Sequence, residues 1–186
     1  QSRVDIALDV SMAARASSKA TVQDARTLNK TVACIRSTPS FAIVIRKGLV
    51  KMDNCTIVGF SDAAFANVEG VKSQWGQVVG VTHFPKEVVA GHYDKVIPLA
   101  WHSGTVKRVV RSTLAAEGYA ALEGIETAAW FRWLLMEIYH PTWTLKQIES
   151  YIGHPKAEVY SDSKGLVTHI SEPTRQATIS YAVFCL

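Results

Sequence analysis

The chain has 186 residues, of which 48% are apolar and 19% are charged, and its formal net charge is +4. This apolar content supports a buried core and excludes a disordered protein, and no apolar run reaches the roughly 18 residues that a membrane-spanning helix needs. The positive charge permits a polyanionic partner without requiring one. The length predicts one domain, or one domain with an appendage.

The three cysteines are widely spaced, at Cys34, Cys55 and Cys185. An odd number without a Cys-x-x-Cys pair argues against a disulfide framework and against a zinc site, and it fits an intracellular, reducing compartment. The first residues show neither a signal peptide nor a transit peptide pattern. Because the chain begins with Gln1 rather than Met, we expect it to be a piece of a longer protein.

Helical patterns come first along the chain. Residues 3–17 and 21–37 carry apolar side chains at helical spacing, which predicts two helices. Thr21 or Ser18 can cap the second helix. The short apolar run at residues 41–45 predicts a strand. Together these elements indicate a helical appendage to the domain that follows.

From about residue 54 the pattern changes to that of strands. Strands are predicted, in chain order, at residues 55–61, 74–84, 96–102 and 106–111. The polar segment 67–72 and the pair Ser103-Gly104 are typical of short connections between strands. Such short connections favour antiparallel pairing.

A long helix is predicted at residues 113–139, because its apolar residues keep helical spacing. Ser112 or Thr113 can cap it, and His140-Pro141 ends it. The remaining predicted elements are a shorter helix at 143–151, a strand at 158–161 and a helix at 163–170. The order β-β-β-β-α-(α)-β-α predicts an α/β fold with a mixed sheet, in which a helix crosses between the hairpin strands and the later strand.

Three acidic residues stand at comparable places in these elements. Asp62 and Asp162 each follow a short apolar run and a serine, and Glu117 lies in the first turns of the long helix. Carboxylates that converge from strand ends and a helix start are suited to divalent metals and to two-metal phosphoryl chemistry. Taken singly, a strand-end Asp is usually a solvated turn residue, and a Glu in a first turn usually serves the helix dipole. The combination carries the prediction.

Other residue types give no comparable pattern. The six histidines show no metal-ligand spacing. The sequence contains no nucleophile motif of the Ser-His-Asp or Cys-His kind and no phosphate-binding glycine loop. The five tryptophans are interpreted as core or covering residues rather than as platforms for base stacking, because no predicted strand presents paired exposed aromatic residues.

Several short motifs occur in one order along the chain. They are residues 59–66 (GFSDAAFA), 72–76 (KSQWG), 100–103 (AWHS), 111–119 (RSTLAAEGY), 130–135 (WFRWLL) and 160–163 (YSDS). In this order they resemble the ribonuclease H domain of copia-type LTR retrotransposon polyproteins. Residues 3–11 (RVDIALDVS) are similar to the end of the reverse transcriptase in the same polyproteins.

This resemblance implies a ribonuclease H-like α/β fold, with a mixed five-stranded sheet flanked by helices, in residues 54–186. Residues 1–50 would be a remnant of the reverse transcriptase thumb or connection. The implied activity is the hydrolysis of the RNA strand of RNA/DNA hybrids with Mg²⁺ or Mn²⁺. Asp62, Glu117 and Asp162 would then be the catalytic, metal-binding carboxylates.

The resemblance also implies partners: an RNA/DNA hybrid or RNA, and the reverse transcriptase portion of the same polyprotein. The candidate residues for contacts with nucleic acid are Lys72, Ser73, Lys107, Arg108 and Arg111. The alternative for the cationic residues is a solvated charged face. The 2′-hydroxyl group distinguishes an RNA strand from a DNA strand at such a site.

The chain departs from this family near its C-terminus. Ribonucleases H add a fourth acidic residue there, whereas the only acid after Asp162 is Glu172, which lies early and precedes Pro173. The motif around Glu117 also carries one additional residue. The missing fourth acid, the unusual chain ends and the moderate positive charge favour an alternative, in which a degenerate or domesticated fragment is a non-catalytic RNA-binding or assembly subunit of a larger complex.

Overall fold

The computed structural model describes the chain in seven ranges, residues 3–45, 47–51, 54–68, 72–107, 109–151, 155–162 and 182–185. The helices in these ranges are α1 (Ala7–Ala16), α2 (Val22–Ser37), α3 (Pro85–Val89), α4 (Thr113–Tyr139) and α5 (Leu145–Ser150). The strands are β1 (Thr56–Val68), β2 (Lys72–Thr82), β3 (Ile97–Thr105), β4 (Lys156–Ser161) and β5 (Ala182–Cys185). Among the described residues, no helix combines the length and the apolar composition that crossing a membrane requires.

The strands form one mixed sheet in the order β3-β2-β1-β4-β5. β1 and β2 pair antiparallel, as do β2 and β3, whereas β4 lies parallel to β1. The short strand β5 pairs antiparallel with β4 at the edge of the sheet. A parallel partner for β1 requires a crossover connection, and α4 supplies it. The predicted α/β class, with a mixed sheet flanked by helices, is therefore confirmed.

The two faces of the sheet are covered differently. On one face, α4 packs across the central strands, and its Ala128 and Leu135 share a core with Ile57, Val79 and Val159. Because side chains alternate along a strand, the next residues of β1 point to the opposite face. There Val58 and Tyr160 pack with Val88 of α3. The second face is therefore closed by α3 at one end of β1, away from the residues that follow Phe60.

The N-terminal helices α1 and α2 confirm the two helices predicted there. Thr21 caps α2 through a reciprocal pair of hydrogen bonds with Asp24, as its position in the sequence predicted. The helix α1 packs against β3, and its Ser11 accepts a hydrogen bond of 3.3 Å from Nε2 of Gln74. The apolar side of α2 is instead exposed, with Val22 at 73% exposure.

Three predicted elements differ from the structure. β1 continues to Val68, beyond the predicted end at residue 61, because β2 pairs with it through Ala64 and again at Val68 after an irregularity in the register. The two strands predicted at 96–102 and 106–111 are replaced by the single strand β3. Residues 41–45 form no strand. The helix predicted at 163–170 lies outside the described residues.

The prediction that the tryptophans are core or covering residues holds for Trp75, which is buried beneath α4. Trp130 and Trp133 are 56% and 41% exposed on α4, so these two are not core residues. In the same helix, Ala128 and Leu135 are the residues that pack into the core with the sheet.

Gly80 marks a close approach between β2 and β3. A Cβ atom at this position would lie 2.6 Å from the carbonyl oxygen of Ile97 and 2.8 Å from Cγ2 of Val96. We therefore expect Gly80→Ala to lower the free energy of unfolding by about 1–3 kcal/mol, the usual cost of overpacking. The matched control is Gly76→Ala in the same strand, where the nearest atom lies at 3.7 Å. Equal urea midpoints for the two variants would contradict this reading.

Candidate metal centre

The first acidic residue of the site lies on the central strand. Asp62 of β1 pairs in register with Gly76 of β2, and its side chain is exposed. By the alternation of side chains along β1, it points away from α4, on the same side as Phe60. The residue therefore lies within a strand rather than after its end, and its pairing with β2 fixes its backbone.

The second acidic residue follows β4 directly. β1 and β4 are parallel and in register up to the pair Ser61 and Ser161. Asp62 and Asp162 therefore occupy equivalent positions, because each comes one residue after the last paired residue of two neighbouring strands. The two copies of the local pattern, an apolar run followed by Ser and Asp, therefore lie side by side.

The third acidic residue comes from the other side of the sheet. Ser112 caps α4 by accepting a hydrogen bond of 3.1 Å from the backbone N–H of Ala115, which fixes the first turn of the helix. Ala116 and Ala120 then pack against Ala63, and small side chains here let the helix approach the strand. Glu117 is consequently held against the sheet, and it is only 6% exposed.

The structure brings these three carboxylates together. One ligand oxygen from each of Asp62, Glu117 and Asp162 lies within 4.8 Å of the others. The residues are far apart in the sequence, and three separate elements, β1, α4 and β4, supply them. Such a cluster could hold a metal ion, since carboxylate oxygens are the ligands that hard divalent cations prefer.

The electrostatics of Glu117 fit a cation site. Burial, together with the negative charges of Asp62 and Asp162, raises the pKa of Glu117 to about 7, although a hydrogen bond from the backbone N–H of Ala63 acts in the opposite direction. Its Oε2 atom is buried and finds no hydrogen-bond partner among the described residues. Three close carboxylates with an unsatisfied buried oxygen repel one another unless a proton or a cation intervenes.

The residues predicted to contact nucleic acid divide into three groups. Lys72, Lys107 and Arg111 are exposed. Ser73 is fully buried, so a ligand does not reach its side chain in this structure. Arg108 lies outside the described residues, as does Glu172 near the expected place of a fourth acid. Among the described residues, the cluster has three acidic members.

The sequence did not indicate the cavity that adjoins these carboxylates. Asp62 and Asp162 line it, together with Phe60, Tyr160 and Trp101 on the sheet face opposite α4. Of these aromatic residues only Trp101 belongs to the tryptophans predicted to be core or cover, and the sequence carries no signal that α1 would dock beside it. Only the apolar residues of α1 itself hinted that this helix needed a surface to pack against.

A buried arginine fixes the segment that leads into β4. Arg132 of α4 is 6% exposed, and its Nε donates a hydrogen bond of 3.0 Å to the carbonyl oxygen of Pro155. Its guanidinium also donates to the carbonyl oxygen of Tyr151. These bonds tie the start of β4 to α4, and so they help to set the position of Asp162 relative to Glu117.

Replacement of this arginine tests its structural role. We expect Arg132→Met to lower the free energy of unfolding by about 2 kcal/mol, because two backbone carbonyls lose their donors. Arg26→Met, on the exposed surface of α2, is the matched control and should change stability by less than about 0.5 kcal/mol. Unfolding in guanidinium measures both, and a silent Arg132 variant would contradict the assignment.

Comparisons of the chain with protein-family models, curated proteins and solved structures found no match. The geometry of the site therefore carries the functional proposal.

Proposed function

We propose that this protein is a metal-dependent endonuclease with a ribonuclease H-like fold that hydrolyses the RNA strand of RNA/DNA hybrids. The observation that carries the proposal is the convergence of Asp62, Glu117 and Asp162 to within 4.8 Å. The local sequence patterns point to the same three residues independently of the fold. Because they lie on separate elements, a chance meeting of all three is improbable compared with that of any pair.

The positions of the motifs support the same proposal. The segment 59–66 lies in β1, the segment 111–119 contains the start of α4, and the segment 160–163 begins at the end of β4. In copia-type ribonuclease H domains the corresponding motifs carry the catalytic acids. The order of the strands and of the crossover helix is compatible with that fold.

Each carboxylate has a distinct part in the proposed site. Asp62 and Asp162 are the exposed ligands, which a metal ion reaches from solvent, and Glu117 is the buried ligand that closes the site from behind. Mg²⁺ or Mn²⁺ suits this all-oxygen donor set. When bound, such ions lower the pKa of water and stabilise a leaving oxygen in phosphodiester hydrolysis.

The nucleic acid would be held by positive charge near this edge of the sheet. All three cationic residues are exposed: Lys72 begins β2, Lys107 follows β3 and Arg111 precedes α4. Contacts of this kind with phosphates give affinity without reading sequence. They also make binding weaken steeply as the salt concentration rises.

One observation favours a second candidate function. Among the described residues the cluster contains three carboxylates rather than four, and four is the number that the family's active site uses. A protein that keeps the fold with an incomplete site is an RNA-binding or assembly subunit without catalysis. This candidate predicts binding of an RNA/DNA hybrid and no cleavage.

A cleavage assay distinguishes the two candidates. A hybrid labelled on its RNA strand is incubated with the protein in Mg²⁺, in Mn²⁺ and in a chelator, beside duplex DNA and duplex RNA of the same sequence. RNA-strand cleavage that requires metal and is confined to the hybrid would support the nuclease. A folded protein that binds the hybrid and leaves it intact would support the subunit.

A further inference from the structure

A cavity of about 590 Å³ opens beside the candidate metal centre. It lies between α1 and the sheet face opposite α4, and both Asp62 and Asp162 belong to its lining. The cavity is therefore continuous with the place where a metal ion would sit. A ligand that fills it would have one part at the carboxylates and the remainder between the helix and the sheet.

The walls away from the carboxylates are mainly apolar and aromatic. Phe60 and Tyr160 stack with ring centroids 5.5 Å apart and an angle of 22° between their planes. Trp101 lines the same cavity. Val4 and Leu8 contribute the opposite wall. Planar, weakly polar groups are the natural occupants of such a space, since aromatic rings stack favourably on one another.

α1 is held in place as a wall by polar contacts at the far end of the cavity. Nε2 of Gln74 donates to the hydroxyl oxygen of Ser11 at 3.3 Å and to that of Ser103 at 2.9 Å. The guanidinium of Arg15 donates to Thr105 at 3.2 Å. These bonds join α1 to β2 and β3, so the N-terminal helix is part of the cavity.

The cavity lining also contains an unsatisfied donor. The indole Nε1–H of Trp101 is buried and has no hydrogen-bond partner among the described residues. Buried polar groups are almost always paired, either within the protein or with a ligand or water. A ligand in the cavity would reach this donor only if the indole turned toward it, and an acceptor atom on a planar ring would then satisfy the donor.

We propose that this cavity binds the nucleoside part of one nucleotide, whose phosphate lies at the carboxylate cluster. The base supplies the planar ring and the acceptor atoms, and the phosphate supplies the anionic group that a bound cation attracts. The inference rests on the proposed function only in taking the carboxylates as a metal and phosphate site. The ligand class is a nucleoside 5′-phosphate, either free or as a unit of a strand.

The test compares adenosine 5′-monophosphate with ribose 5-phosphate, which lacks the base, by calorimetry on the full chain with Mg²⁺. We expect the nucleotide to bind at least about tenfold more tightly, because stacking of a base on aromatic side chains contributes that much or more. Leu8→Trp, which fills the cavity from its exposed wall, should remove this difference. Val10→Trp, exposed on α1 and outside the cavity lining, should preserve it.

A second variant addresses the indole without filling the cavity. Trp101→Phe keeps an aromatic ring and removes the donor, so the preference for the nucleotide over ribose 5-phosphate should fall about threefold or more. Equal affinities of the parent protein for the two ligands would overturn the proposal. Unchanged nucleotide binding in Leu8→Trp would also overturn it.

Failure of this inference and failure of the proposed function are distinguishable. Cleavage of a hybrid without any base-dependent binding leaves the nuclease and removes the nucleoside site. Base-dependent binding without cleavage keeps the site in a protein that is not a nuclease. A hybrid with one abasic ribose separates the two sources of the ligand. If removing the base weakens binding of the hybrid as much as it weakens binding of the free nucleotide, the ligand is a unit of a strand. If the abasic hybrid binds as tightly as the intact hybrid, the ligand is the free nucleotide.

Discussion

Asp62→Asn is expected to lower the Mg²⁺-dependent cleavage of the RNA strand by at least about 100-fold, because second-shell partners of metal ligands alone contribute 10–100-fold and Asp62 would be a direct ligand. The substitution removes one negative charge and keeps the shape of the side chain. The residue is exposed on β1, so the fold should persist. The measurement is the initial rate of cleavage of a labelled hybrid, with circular dichroism to verify folding.

Asp94→Asn is the matched control for this prediction. Asp94 is also an exposed aspartate, and it lies just before the start of β3. Asp62 is aligned across the sheet with Ser103, which lies toward the other end of β3. Its replacement should leave the rate within about twofold of the parent, as for a surface position outside the site. Undiminished cleavage by Asp62→Asn would contradict the proposed role of the cluster.

A thermal readout separates metal binding from catalysis in the same variant. Ligands that bind only the folded state raise its stability in proportion to the logarithm of their concentration. Mg²⁺ should therefore raise the unfolding temperature of the parent more than that of Asp62→Asn. If both proteins respond equally while only the parent cleaves, Asp62 acts on the substrate and not on the metal.

The sequence predicted the acidic cluster because each of its members belongs to a local pattern. Asp62 and Asp162 follow similar apolar runs, and the parallel register of β1 and β4 turns this similarity into proximity. Glu117 follows a capping serine at the start of a long run of helically spaced apolar residues, and α4 confirms the predicted helix. Such patterns depend on neighbouring residues, and they can be recognised without knowledge of the fold.

The errors occur where tertiary contacts override local preference. The small residues after Asp62 are poor strand formers, but pairing with β2 extends β1 through them, since strand propensity depends strongly on context. The sequence predicts a turn at Ser103-Gly104. In the structure Gly104 lies within β3, where a Cβ would come within 3.0 Å of Nε2 of His102 and 3.2 Å of Nε1 of Trp75. The absence of a side chain at this glycine leaves room for the rings of His102 and Trp75.

The cavity beside the carboxylates could not be predicted for the same reason. It depends on α1 docking against β3, which joins residues about ninety positions apart, as in the hydrogen bond from Arg15 to Thr105. No local pattern records which surface an amphipathic helix will cover. The exposed apolar side of α2 illustrates the point, because the sequence predicted that side and gave no indication that it would face solvent.

Glu117→Gln is expected to stabilise the protein at pH 8 in the presence of a chelator. The pKa of Glu117 is raised from 4.5 to about 7 in the folded protein, so the folded state binds the proton more tightly than the unfolded state does. The free energy of unfolding therefore falls as the pH rises from about 4.5 to about 7. The two pKa values correspond to about 3 kcal/mol, at 1.36 kcal/mol per pH unit.

The measurement is the difference in unfolding free energy between the variant and the parent from pH 5 to pH 8. Taking this difference removes the contribution of other titrating groups. It should be small near pH 5, where Glu117 of the folded state is protonated, and should grow to its full value above pH 7. Glu126→Gln, exposed on the same helix, should give a difference that does not change with pH.

Mg²⁺ should reverse this order of stability. A bound cation requires the ionised form of Glu117, so its binding to the parent releases a proton below about pH 7 and strengthens as the pH rises. The glutamine variant lacks this carboxylate, and Mg²⁺ should stabilise it less than the parent at pH 8. A difference in chelator that is independent of pH would contradict the burial of Glu117 against Ala63. A pH-dependent difference with no response to Mg²⁺ would support the buried carboxyl group of Glu117 and contradict the proposed metal site.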